Sequence, residues 1–124
     1  MRKFRYREFQ IYQDIRKIRL EVKELTKRNF PKEVQFRLTD QLWRALDSIV
    51  LNIAEGCERG TDKDFAHFLN NSHTSLNEVV ACLDLALDDS YINVETHDGL
   101  LKKFESLANQ ITAFRMKLLK EPSK

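Results

Sequence analysis

Glycine and proline are nearly missing from this chain, at three and two residues in 124. Few positions are therefore suited to tight turns. β-Branched residues are sparse and nowhere alternate with polar ones over the length of a strand, which argues against sheets and leaves helix. Cysteine occurs twice, at Cys57 and Cys82, each inside an apolar periodic stretch and outside any C-x-x-C or Cys/His spacing. Both read as reduced core thiols of a cytoplasmic protein. No apolar run approaches the roughly 20 residues that span a bilayer. The basic N-terminus is followed by a charged amphipathic segment rather than an apolar signal region, so the expectation is a soluble, unexported chain with no membrane partner.

What is present is charge, unevenly spread. The formal net charge is +2. Up to Glu33, however, eleven basic residues face five acidic ones, a net +6, and from Val34 to Asn93 four face ten, a net −6. Length and a hydrophobic fraction of 42% suffice for one self-supporting core, so residues 1–124 read as a single domain with a basic arm over about 1–7.

Apolar residues recur at helical spacing in four stretches. Ile11, Ile15, Ile18, Val22 and Leu25 step by four and three, and Phe30-Pro31 ends this first helix because a residue before proline is pushed out of the α region. The second helix begins near Leu38 to Asp40 and is closed by Gly56 and Gly60, Gly56 being suited to a C-terminal cap or a close backbone approach. Thr61-x-x-Asp64 resembles a capping box ahead of a third helix, whose seam is Phe65, Leu69, Ser72, Leu76, Val79, Leu83 and Ala86. That helix should stop at Asp88-Asp89-Ser90, and Asn93 is placed to cap a fourth carrying Leu100, Phe104, Leu107, Ile111, Phe114 and Leu118, with Pro122 marking its end. Four such helices joined by short connections predict an all-α, antiparallel up-down-up-down four-helix bundle.

Two surfaces stand apart from these seams. At about 100° per residue, Arg16, Arg19, Lys23 and Lys27 fall within about 80° of arc on the first helix, preceded by Arg2, Lys3, Arg5 and Arg7 interleaved with Phe4 and Tyr6. Basic side chains track phosphates and aromatic rings stack on unpaired bases, so this is the nucleic-acid candidate. On the second helix Gln41, Arg44, Ser48, Asn52 and Glu55 line the side opposite Leu42, Leu46, Ile49 and Ile53, with Leu51 on the fringe and Trp43 on the flank. Amides and a hydroxyl suit a semi-buried contact better than a solvated face. The four seams account for a core without this strip, which makes it the candidate interface.

The run Gln41-Leu42-x-Arg44-Ala45-x-x-Ser48-Ile49-x-x-Asn52-Ile53-Ala54-Glu55-Gly56 resembles the bacterial family of small four-helix-bundle proteins encoded in intervening sequences of 23S ribosomal RNA genes. Phe9 to Tyr12, Leu25-Thr26 with Phe30-Pro31, Phe65-x-x-Phe68-Leu69, Ser75-Leu76-x-Glu78 and Tyr91-Ile92 extend the resemblance over nearly the whole chain. It implies an up-down-up-down bundle assembling into a homopentameric ring. It also implies kinship to accessory proteins of the reverse transcriptases of diversity-generating retroelements, whose basic surface is associated with nucleic acid. Val50 stands where the family commonly has proline, and Trp43 and Leu51 are bulkier than usual. An unbroken second helix is the consequence expected.

Catalytic chemistry finds no support. A di-iron bundle needs Glu-x-x-His on two helices, and only Asp64-x-x-His67 approaches it. His67 and His73 point about 120° apart and His97 lies on another helix, so no metal site is expected. No glycine-rich phosphate loop is present. Glu55 and Glu78 read as structural partners of Arg44 or an amide. The acidic run Asp84, Asp88 and Asp89 reads as a solvated helix end, or as a region that meets the basic face of the next copy in a head-to-tail ring. No cofactor is expected. The reading is a noncatalytic, homo-oligomeric binding module that contacts RNA or DNA through its first helix. The alternative is a protein-interaction scaffold that recruits an enzyme, such as a reverse transcriptase or a ribosome-associated factor, with no direct nucleic-acid contact.

Overall fold

The computed structural model describes residues 3–120, and among them every regular element is helical. α1 (Gln10–Asn29), α2 (Asp40–Cys57), α3 (Asp62–Asp88) and α4 (Val94–Lys120) form an up-down-up-down four-helix bundle. Side-chain bonds between neighbours show the antiparallel order, since residue numbers rise on one helix as they fall on the next. Asp14 and Glu21 of α1 meet Gln110 and Lys103 of α4. Gln41 and Ser48 of α2 meet Glu78 and Ser75 of α3. Ala66 and Asp84 of α3 meet Arg115 and His97 of α4.

The expected seams are buried, with Ile15, Leu42, Leu46, Ile49, Ile53, Leu69, Phe104 and Ile111 fully enclosed. Each such side chain contributes about 1.5–3 kcal/mol relative to exposure. Phe114 and Leu118, counted in the fourth seam, are only partly buried where α4 reaches its end. There Phe114 packs edge-on against Phe9 and Phe65 at centroid distances of 5.3 and 5.1 Å, closing that end of the bundle. Phe30 and Tyr91, 5.6 Å apart, pack together at the other.

Helix ends follow local chemistry, with some departures. α1 begins only at Gln10, because Arg5–Glu8 winds as a 3-10 turn and Phe9 is extended. It ends at Phe30, held extended before Pro31. α2 is reached through a 3-10 turn, Lys32–Val34, and a π-helical turn, Gln35–Thr39, rather than a side-chain cap. It then runs unbroken through Val50 and Gly56. Thr61 Oγ1 accepts the Asp64 N–H at 3.1 Å and Asn93 Oδ1 accepts the Thr96 N–H at 2.8 Å, capping α3 and α4 as expected. α3 ends at Asp88 by a backbone device: Ser90 adopts φ 63° while the Tyr91 N–H reaches back to the Ala86 carbonyl at 2.8 Å. This is a Schellman motif with serine where glycine is usual. Pro122, expected to mark the end of α4, lies outside the described residues.

Of the two roles open to Gly56, the structure selects close approach. A Cβ there would lie 2.6 Å from Phe68 Cβ and 3.0 Å from Phe65 Cδ1. Small residues continue this tight line between α2 and α3: Ser72 Oγ donates to the Ile49 carbonyl at 2.9 Å, and Ser48 Oγ lies 2.8 Å from Ser75 Oγ.

Candidate nucleic-acid interface

α1 turns its basic side toward α2 and its acidic side toward α4. On the α4 side, Lys103 Nζ lies 2.7 Å from Glu21 Oε1 and Gln110 donates to Asp14, so two of the helix's carboxylates are engaged by α4, with Lys17 beside them. Glu24 stays on the outer face, 3.6 Å from Lys27. Arg16 and Lys27 are exposed, and so is Lys17, which the arc of the stripe had left out. From Arg16 to Lys27 the cations extend over about 16 Å of helix.

Two members of the stripe are engaged by α2. Arg19 Nε lies 2.7 Å from Asp47 Oδ1 across the α1–α2 boundary. Lys23 Nζ sits 4.3 Å from the centroid of the Trp43 ring, a cation–π contact. Arg16 lies over Tyr12 at 5.5 Å yet remains exposed. In the arm, Lys3, Arg5 and Arg7 are exposed, Arg5 lies 5.6 Å from the Phe9 ring, and Arg2 lies outside the described residues. Tyr6 packs on Tyr12 at 5.0 Å while Phe4 is left exposed. The aromatic interleaving thus divides between packing and surface.

The polar strip of α2 divides as well, and it is not surplus to the subunit. Gln41 donates to Glu78 at 3.2 Å, Ser48 meets Ser75, and Asn52 Nδ2 donates back to the Ser48 carbonyl and hydroxyl at 2.8 and 3.1 Å. These groups serve the α2–α3 contact. Arg44 pairs with Asp40 at 3.1 Å along α2, and Glu55 pairs at 3.6 Å with Arg59 just past the helix end. Trp43 turns to α1, where its Nε1–H donates to Thr26 Oγ1 at 3.0 Å. Thr26 in turn donates to the Lys23 carbonyl at 2.8 Å. Leu51 is 64% exposed and, with Leu20 of α1 at 60%, flanks an open groove of about 670 Å³ that Arg16, Lys17 and Arg19 also line. Leu20 went unnoticed in the sequence because a single leucine between charged residues carries no periodicity.

One polar pair was also missed. His97 on α4 is buried and its Nε2 lies 2.7 Å from Asp84 Oδ1 on α3, with Asp98 Oδ1 3.5 Å from Nδ1. The hydrogen bond to Asp84 raises its pKa above the ordinary 6.5, against the opposing effect of burial, and Asp98 adds to the rise. Burial pushes the Cys57 and Cys82 thiols up, which keeps both in the unreactive protonated form. Among the described residues no three His, Cys, Asp or Glu side chains are grouped to hold a metal ion, and no helix is long and apolar enough to cross a membrane.

A family model described as "23S rRNA-intervening sequence protein" matches residues 7–113. No curated protein matches the chain.

Proposed function

The chain belongs to the 23S rRNA-intervening sequence protein family, and from that premise we propose that it is a noncatalytic oligomeric binding and assembly module whose α1 face contacts RNA or DNA in the cytoplasm. The observation carrying this reading is the partition of charge about α1. Its carboxylates at Asp14 and Glu21 are drawn to α4, leaving Arg16, Lys17 and Lys27 exposed on a rigid helix. Such a row offers cations to phosphates, and each phosphate neutralised releases a counterion. Assembly into a homopentameric ring, which the family resemblance implies, would repeat the row and sum contacts that are individually weak.

Structured RNA titrated at low salt provides the test. Wild type should bind with a log–log salt slope that falls by about 2 to 3 when Arg16, Lys17 and Lys27 are replaced by glutamate, as expected for the loss of three phosphate contacts. An absence of binding by the wild type at low salt would remove the proposal. The scaffold reading, with no nucleic-acid contact, is favoured by the exposure of Leu20 and Leu51 beside one groove, since paired exposed leucines suit a protein surface. Under that reading, Leu20→Glu with Leu51→Glu lowers the sedimenting mass or abolishes capture of a protein partner.

A further inference from the structure

The most exposed large apolar side chain among the described residues is not on a bundle helix. It is Phe36, 88% exposed, in the connection between α1 and α2. Its position follows from the local chain. Pro31 forces an extended exit from α1, Val34 and Leu38 are both buried, and the π-helical turn Gln35–Thr39 between these anchors presents Phe36 outward. A π-helical turn is rare and recurs at functional sites.

Beside this ring lies a depression of about 320 Å³, lined in part by Phe30, Pro31, Phe36, Trp43, Lys27 and Lys32. Its wall is rigid. The indole of Trp43 is fixed by its bond to Thr26 Oγ1 and by the Lys23 ammonium over its ring. The one carboxylate on the lining, Asp40, is paired with Arg44 at 3.1 Å. The rim carries two exposed cations, Lys32 and Lys27, the latter 3.6 Å from the exposed Glu24 carboxylate. Gln35 and Thr39 add an amide and a hydroxyl.

We infer that this depression is a stacking subsite for one unpaired nucleobase of a single-stranded nucleic acid. The Phe36 ring is the platform, and Lys27 and Lys32 hold the flanking phosphates. The positive rim selects a polyanion. The volume lies at the lower end of small-molecule sites, and a base already stacked in a duplex presents no free face to the ring. The inference rests on the nucleic-acid reading of α1, because Lys27 belongs to both the row and the rim, but it adds a contact that is apolar and indifferent to salt.

Trp43 is the only tryptophan in the chain and borders the depression, so its fluorescence reports occupancy. Short oligouridylate, oligothymidylate and a duplex of matched length are titrated into the full chain, following both Trp43 emission and the anisotropy of labelled strands. Single strands should perturb Trp43 and the duplex should not. Phe36→Ala should weaken single-strand binding by about 5- to 150-fold, the factor associated with loss of one stacked base. Its salt slope should be unchanged, whereas Lys27→Gln with Lys32→Gln should lower the slope. Phe36→Tyr should restore affinity. Binding of either sugar class supports the subsite, a preference for RNA adding a 2′-hydroxyl contact.

Equal single-strand affinity for Phe36→Ala and wild type would overturn the inference and leave the α1 reading standing. No binding of any nucleic acid would overturn both. A Phe36→Ala variant that changes the sedimenting mass but not the affinity would assign the ring to a subunit contact and likewise overturn the inference. The exposure of Phe36 makes a folding defect in this variant unexpected, and circular dichroism checks it.

Discussion

Replacing Gly56 by alanine should destabilise the bundle, although the same replacement at Gly99 should stabilise it. The added methyl at position 56 would lie 2.6 Å from Phe68 Cβ, about 1 Å inside the separation at which carbon atoms attract. Phe68 Cβ is fixed to its backbone and cannot rotate away, so α2 and α3 must part locally. The nearby Phe65 ring, at 3.0 Å from the same methyl, is held in turn by Phe114. Overpacking of this kind costs about 1–3 kcal/mol. Alanine returns up to about 1 kcal/mol of helix propensity, less where Gly56 nears the end of α2. At Gly99 nothing lies within 4 Å of the methyl, so the propensity gain of about 0.8–1 kcal/mol stands alone. Subtracting the two variants isolates the steric cost. Thermal melts by circular dichroism at matched protein concentration, which holds any self-association constant, should separate them by about 4–12 °C at about 4 °C per kcal/mol. A Gly56→Ala protein melting at or above Gly99→Ala would refute the assignment of Gly56 to a close approach.

Ser90→Gly should stabilise the protein by about 0.5–1 kcal/mol, because glycine adopts the left-handed conformation at φ 63° without the penalty serine incurs, read as a shift in urea midpoint. The His97 pKa is raised in the folded state by Asp84. Its contribution to stability is therefore complete below the unfolded value of 6.5 and is lost as pH rises through the higher folded value. The stability difference between wild type and His97→Gln should accordingly shrink from acid to alkaline pH across that window, and a difference that grew with pH would contradict the pairing. Asp47→Asn releases Arg19 from its 2.7 Å partner. Stability should change by no more than about 1 kcal/mol, as for other partly exposed pairs. Affinity for RNA and the salt slope should both rise, since one more cation becomes free for phosphate.

Much of the fold was legible because it is set locally. The four seams depend only on residue spacing within one segment. The Thr61 and Asn93 caps bond three residues ahead, and Pro31 constrains its immediate predecessor. The site was legible only in outline. The arc of basic residues on α1 is a property of one helix, but which cations stay available depends on what α2 brings opposite them. Asp47 takes Arg19 and the indole of Trp43 lies under Lys23. Likewise, the Ser48 and Asn52 strip looked surplus until α3 brought Ser75 against it. Gly56 as a point of close approach, His97 facing Asp84, and Phe36 left outside the core were decided at the same level. By itself the sequence determined helix number, seams and caps through interactions within a few residues. Pairing across helices depends on how each helix is rotated and how closely its neighbours approach, and only the tertiary packing decided that.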